Sequence, residues 1–396
     1  MPDAADFRLY AKKIAKTIID NRRHLHAHPE LSFEEYQTSV FIKNRLDELG
    51  IKWKSMAGTG VVALIKGKMK SGRVVALRAD MDALPISEHN EASYCSKNNG
   101  VMHACGHDVH TASLLGAAQI LRAMQDQFGG TVKLIFQPGE EKLPGGASIM
   151  IREGVLKDPV PDAVIGQHVT PLLEAGKIGM RKGIFMASMD EITGYVYGRG
   201  GHGAQPHQNI DPVMITAQIL VSLQQIVSRM ANPGIPTVLS FGKLLANGAI
   251  NIIPDHVYLE GTFRTYDDQW RMNAHRHIKK VASSIAEGMG GKCDLQIRKG
   301  YPALINNEQL TSDLAGFAET YLGKKNVIEN EIWMAAEDFA YYSQLSPACF
   351  YLLGVAKKGQ VPGPSLHTPD FDIDENALVT GCGLMSWLAY RNLGNE

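Results

Sequence analysis

The sequence predicts an α/β protein: a larger domain on a mostly parallel sheet, with an inserted ferredoxin-like α+β domain. Three observations carry this expectation. Short apolar, β-branched runs alternate with helix-like stretches across residues 61–166, the signature of an α/β layer. From about residue 187 the order becomes β-α-β-β-α-β, that of a ferredoxin-like sandwich. After Pro302 the first pattern returns. The expected boundaries are therefore 1–186 and 302–396 for the two parts of the larger domain and 187–301 for the insert.

Each element has a local reason. Ile14 and Ile18 sit four apart among Lys12, Lys13 and Lys16, one apolar stripe on a charged helix. A second helix is expected over 36–49, with Gly50 in the stop position. The runs at 61–65, 73–78, 131–136 and 163–166 read as strands, the first two able to pair as neighbours, with a helix over 111–124. In the insert, a strand at 191–197 precedes a helix over 212–230, opened by Asp211 and Pro212. Strands at 237–244 and 256–266, a helix over 269–288 and a strand at 293–299 complete it. A strand at 349–354 and a helix over 374–391 close the chain, which has no internal repeats.

Composition narrows the function. At 396 residues, 44% hydrophobic and 20% charged, the chain can bury enough apolar surface to offset its ordering entropy, which excludes dominant disorder. Forty Lys+Arg against 41 Asp+Glu give a net charge of −1, which argues against a nucleic-acid or membrane-surface binder. No apolar signal region follows the N-terminus, and stretches such as 213–221 fall short of the ~18 residues that span a bilayer. A soluble, cytoplasmic protein with reduced thiols is expected. Its five cysteines (Cys95, Cys105, Cys293, Cys349, Cys382) have no CxxC spacing.

The richest chemistry lies in 101–110 (VMHACGHDVH), where Cys105 and His107 straddle a glycine just before a helix. Thiolate and imidazole are ligands that zinc and its neighbours prefer, and the glycine lets the backbone turn so that both converge. A buried cysteine beside helix-capping histidines is an equally good account of that window alone. Other polar residues shift the balance. Glu140 and Glu141 follow one strand, His168 another, and Asp80 and Asp82 a third, so polar side chains collect where open α/β sheets build sites.

In combination these motifs are specific. The chain resembles the dinuclear metallopeptidase family of aminoacylases and carboxypeptidases, in its N-acyl-amino-acid amidohydrolase subgroup of hippurate and auxin-conjugate hydrolases. The resemblance rests on 22–31 (RRHLHAHPEL), 78–85 (RADMDALP), 103–108 (HACGHD), 137–141 (QPGEE), 200–203 (GGHG), 251–254 (NIIP), 336–339 (AEDF) and 366–369 (LHTP). It implies two divalent metal ions, zinc or manganese first and cobalt or nickel as alternatives. Cys105 would bridge them, with His107 and His168 on one and Glu141 and His367 on the other. Glu140 would be the general base toward a metal-bound water, and Asp82 and Asp80 would orient the ligands. His202 would stabilise the oxyanion, in its own subunit or across a homodimer formed by the insert. Asn251 and Arg264 would hold the substrate carboxylate. The implied substrate is a small N-acyl amino acid or short peptide. Dipeptidase, carboxypeptidase and deacetylase activities are the alternatives. The resemblance gives Glu337 and Asp338 no role, and His24, His26 and His28 are expected to stabilise a helix end.

One motif points elsewhere. Residues 198–203 (GRGGHG) fit G-x-G-x-x-G after a strand, the mark of a nucleotide-binding oxidoreductase. That fingerprint needs a helix to open at once and an acidic residue about 20 positions on. Pro206 intervenes, and positions 224–226 read Gln-Gln-Ile. A glycine-rich hairpin is the reading that survives.

Overall fold

The computed structural model describes residues 2–394, which fold as two compact units. Among the described residues, the first comprises 2–185, Ile305–Ile332 and 338–394. The second comprises Met186–Leu304 with Trp333–Glu337.

The first unit is built on an eight-stranded sheet. Its centre is four parallel strands, side by side in the order Gly129–Gln137, Met69–Asp80, Ala163–Glu174 and Ala348–Ala356. All nine residues of Ala348–Ala356 are buried, as are the first nine of Ala163–Glu174, as expected of central parallel strands covered on both faces. Gly60–Lys66 and then Trp53–Met56 add antiparallel strands on one side; Ile178–Met180 and Val327–Glu329 extend the other. The expected pairing of the strands at 61–65 and 73–78 does not occur. The helix His107–Ala123 returns the chain so that Gly129–Gln137 takes the place between them, parallel to the second and antiparallel to the first. An apolar run marks a strand but not its partner.

The helix His107–Ala123 is buried on nearly every side, against the sheet and the helix Asn376–Asn392. The N-terminal helix breaks at Ile14 into Ala4–Lys13 and Ala15–Ala27. Gly146–Arg152 and Glu308–Leu322 are helices that the sequence reading did not mark.

The second unit carries a four-stranded antiparallel sheet in the order Thr237–Leu245, His256–Thr265, Ser188–Tyr197, Lys292–Lys299. Along Ser188–Tyr197, Ile192 and Val196 are buried while Tyr195 and Tyr197 are exposed, the alternation of a half-covered sheet. The buried face packs on Ile215 and Ile219 of the helix Pro212–Gln225 and on Ala274 and Ile278 of Asp268–Gly288. Asp211 caps the former helix by accepting from Val213 N (2.8 Å) and Met214 N (3.3 Å). A π-turn, Ile226–Met230, continues it, so Pro212–Met230 runs 19 residues and does reach membrane-crossing length by size and composition, contrary to expectation. Its Ile215, Ile219, Leu223 and Ile226 are buried in the core of this unit.

Candidate metal centre

Three neighbouring central strands of the first unit deliver polar side chains near their carboxyl ends. Asp80 ends Met69–Asp80, and Glu140 and Glu141 follow Gly129–Gln137. His168 lies inside Ala163–Glu174 rather than after it, because that strand runs on past the expected end at 166. Cys105 and His107 sit at the start of the helix His107–Ala123, whose N-cap is Gly106. Gly106 has φ +79°, and a Cβ there would lie 2.4 Å from Val169 Cγ2, so only glycine lets the turn approach the strand this closely.

The five expected ligands converge. Cys105 Sγ lies 3.4 Å from His168 Nε2 and 3.2 Å from His367 Nε2, and His367 Nε2 lies 3.2 Å from Glu141 Oε1. Two donor trios result: Cys105, His107 and His168, and Cys105, Glu141 and His367, with the atoms of each within 4.8 Å of one another. Cys105 belongs to both. His367 adopts φ +59°, and its backbone N–H donates to Ala104 O at 2.8 Å, tying it to the cysteine segment. A non-glycine residue held in this region is strain of the kind that collects at functional sites.

The surrounding hydrogen bonds aim these donors. His107 Nδ1 lies 3.1 Å from Asp82 Oδ1, and among the described residues its buried Nε2 has no hydrogen-bond partner. Asp82 Oδ2 accepts from Ser32 OH (2.7 Å) and Glu141 N–H (3.0 Å), so one carboxylate aligns two ligands. His168 Nδ1 donates to Val169 O at 2.7 Å, turning Nε2 toward Cys105. Burial, with His110 nearby, holds the His168 ring well below the usual histidine range and therefore neutral, the form that ligates metals. Glu140 is buried and accepts from Asp338 N–H at 3.3 Å.

Charge balance favours a cation here. Burial lowers the His107 pKa, but Asp80, Asp82 and Glu141 outweigh it and lift the ring to about 10. Burial, then Glu141 and Glu140, push the Cys105 thiol well up. A bound divalent ion reverses that second effect, because it binds the thiolate. The buried Oε1 of Glu141, 3.2 Å from His367 Nε2, accepts no well-aligned hydrogen bond among the described residues. Soft and hard donors around this point thus fit two divalent ions sharing one thiolate.

Several supporting residues went unread in the sequence. His110, three residues past His107, bridges Asp80 Oδ1 (2.5 Å) and Val169 N–H (2.9 Å) and so fixes the backbone beside His168. Arg78 is wholly buried and donates to Asp80 (2.6 Å), Gln137 (2.9 Å) and Asp338 (2.7 Å), joining the ends of two strands. Asp338 also accepts from Ala147 N–H at 2.9 Å. The expectation for the three N-terminal histidines holds for two of them: His28 donates to His24 O, and His24 stacks on Phe41. His26 departs from it, because its ring lies between Asp108 (2.8 Å) and Glu88 (3.0 Å). The signal was present in the repeated histidines, but their partners lie 62 and 82 residues away.

The remaining candidates lie in the second unit. His202 is exposed and pairs with Ile252 in a two-stranded ribbon, which places it beside Asn251. Its Nδ1 accepts from Ala204 N–H at 3.0 Å, which leaves Nε2 as the ring nitrogen free to donate. Arg264, near the end of His256–Thr265, is partly buried and donates to Met334 O at 2.9 Å. No carboxylate faces it among the described residues, and burial alone lowers its pKa. After the strand Ser188–Tyr197, the glycine cluster runs into the short turn Pro206–Gln208, and the next helix waits for Pro212. That is not dinucleotide-binding geometry.

Comparison with known proteins agrees with this geometry. Residues 76–391 match the family described as Peptidase family M20/M25/M40. The chain is 41% identical over 367 residues to N-acetyl-L-cysteine deacetylase of Bacillus subtilis (strain 168), covering 92% of this chain and 86% of that one. It is 44% identical over 298 residues to N-acyl-L-amino acid amidohydrolase of Geobacillus stearothermophilus, covering 75% and 80%. The crystal structure of the Bacillus subtilis YXEP protein, described as a dinuclear metal binding peptidase from the M20 family, matches with TM-score 0.82 and 34% identity. That match covers 97% of this chain and 100% of that one. The chain therefore belongs to peptidase family M20/M25/M40 and is a metal-dependent hydrolase.

Proposed function

We propose that this hydrolase cleaves the amide bond of small N-acyl amino acids that carry a free carboxylate. The observation that carries this reading is the pair of donor trios sharing Cys105. Cys105 would bridge two ions, with His107 and His168 completing one site and Glu141 and His367 the other. Zinc or manganese suits these ligands first, and cobalt or nickel is also compatible. When bound, such ions polarise an amide carbonyl and lower the pKa of water to about 7. Glu140, buried beside these donors, takes the proton from the attacking water and returns it to the leaving amine. His202, with Nε2–H as donor, is the oxyanion-stabilising residue. Arg264, with no carboxylate of its own among the described residues, and Asn251 bind the substrate carboxylate. The relatives named for N-acetyl-cysteine and N-acyl amino acids support that substrate class.

We also infer a homodimer formed through the second unit. Val213, Met214 and Val221 on its helix and Leu244 and Leu245 on its edge strand are exposed apolar residues of the kind an interface covers. A cytoplasmic location fits five free cysteines, one of them proposed as a thiolate ligand.

Metal analysis and a substrate screen on the same sample test the reading. Acetyl-, benzoyl- and dipeptidyl-amino acids are compared, with Glu140→Ala as control. The expected result is about two metals per chain, hydrolysis of acyl substrates, and a fall in kcat of roughly 10²–10⁴-fold in Glu140→Ala with metal retained. Near-normal turnover in that variant overturns the role of Glu140. Preference for dipeptides moves the assignment to a peptidase.

A further inference from the structure

We propose that Glu35 is a positioning residue for the loop that carries Glu140 and Glu141; this rests on the roles proposed for that pair. Glu35 is fully buried. Its Oε1 accepts from Gly139 N–H at 2.8 Å and from Phe33 N–H at 2.9 Å, and its Oε2 accepts from Thr59 OH at 2.6 Å. Gly139 is the residue immediately before the proposed base. It has φ +59°, and a Cβ there would sit 2.4 Å from the Phe33 ring, so the ring and the carboxyl group hold the same peptide from two sides. Phe33 itself adopts φ +68°, a conformation that costs a bulky residue energy and persists where surroundings fix it. The turn that presents both residues is anchored by Glu30, which accepts from Thr38 N–H (2.8 Å) and Thr38 OH (2.9 Å) at the start of the helix Tyr36–Glu48. Downstream, Asp82 grips the N–H of Glu141. The loop is thus held at two peptides, by Glu35 just before the pair and by Asp82 at the peptide between Glu140 and Glu141. Glu35 touches neither substrate nor ligand atoms; it acts through the Gly139 peptide.

All three partners of Glu35 are donors, and the Thr59 hydroxyl can also accept. Glutamine at this position therefore keeps the pattern, with its carbonyl on the two N–H groups and its amide on Thr59. The test compares Glu35→Ala and Glu35→Gln in the metal-loaded protein, by kinetics and by hydrogen exchange over residues 137–142. Glu35→Ala is expected to lower kcat about 100-fold with KM within about twofold, since small misplacements of reacting groups cost that much. Its loop amides should exchange faster. Glu35→Gln should stay within about threefold of wild type and keep the protection. Unchanged kcat and exchange in Glu35→Ala overturn the proposal, as does equal damage in Glu35→Gln. Should Glu35→Ala fail to fold, Thr59→Val removes one bond of the three; a smaller fall in kcat with faster loop exchange supports the role, and no change in either overturns it. A wild-type protein inactive on every acyl substrate refutes the function above, while the exchange arm still decides Glu35.

Discussion

His110 shows how much of the centre depends on residues that touch no ligand atom. Its two ring nitrogens join Asp80 to the Val169 amide, and the next carbonyl along fixes His168. Partners of this kind are worth about 10–100-fold in metal affinity or activity. His110→Ala should therefore weaken metal retention by that factor while leaving secondary structure intact. Dialysis against a graded chelator series measures it, and wild-type retention would refute the role. At this scale the sequence was legible for residue type and spacing, as in Cys105-Gly-His107. It was silent about Arg78, Glu35 and Asp338, whose partners are fixed only once distant strands align.

Elements were legible where local chemistry is strong. Asp211 and Pro212 open a helix as their side chain and ring require, and the alternation along Ser188–Tyr197 marks a half-covered strand. Strand order was not legible, because Gly129–Gln137 intrudes between two sequence neighbours on tertiary grounds alone. Short strands such as Ile178–Met180 carry too few residues to show a period. Within the second unit, Asp190 ties the strand Ser188–Tyr197 to Arg271 and His275 (2.6 Å) of the helix Asp268–Gly288. Burial raises the Asp190 pKa, but Arg271, His275 and the Gly300 N–H outweigh it and hold the carboxyl at about 2, below its ordinary 3.8. A depressed acid stabilises above its unfolded value and loses that contribution as pH falls through the folded one. Urea unfolding followed at Trp270 should therefore show a loss on the order of 2 kcal/mol between pH 4 and pH 2. Asp190→Asn should be less stable by roughly 3 kcal/mol at pH 7, because buried Arg271 loses its buried counter-charge and keeps only the half-exposed Asp268 at 3.3 Å. A flat acid profile in the wild type would refute the linkage.

For the whole molecule, the proposed donor set would couple folding to metal. Its five residues come from segments spanning positions 105 to 367, so ions held there stabilise only the folded chain. Free metal at 100 times Kd adds about 2.7 kcal/mol for each site. Chelation should lower the melting temperature by several degrees and abolish hydrolysis, and re-addition of zinc or manganese should restore both. Differential scanning calorimetry with activity on the same samples checks this; an unchanged melting temperature on complete metal removal would refute it. The fold class followed from the alternation of elements. The residues of the second unit that lie beyond Leu304, Trp333–Glu337, join it through long-range hydrogen bonds, from Ala187 N–H to Trp333 O and Ala335 O and from Arg264 to Met334 O, which no local pattern announces.

The position of Ala348–Ala356 beside Ala163–Glu174 has a consequence for the order in which the protein is made. Emerging from the ribosome at roughly 5–20 residues per second, the chain completes the four-stranded ferredoxin-like segment before the strand that closes the centre of the first sheet exists. Four of the five proposed donors are by then already synthesised, with the edge of the buried strand Ala163–Glu174 still open beside them. His367 arrives last, eleven residues after the end of the strand that closes that edge. Completion of the sheet and completion of the metal centre are therefore nearly a single late event, and a nascent chain that stalls before it exposes a sticky strand and holds an unfinished site.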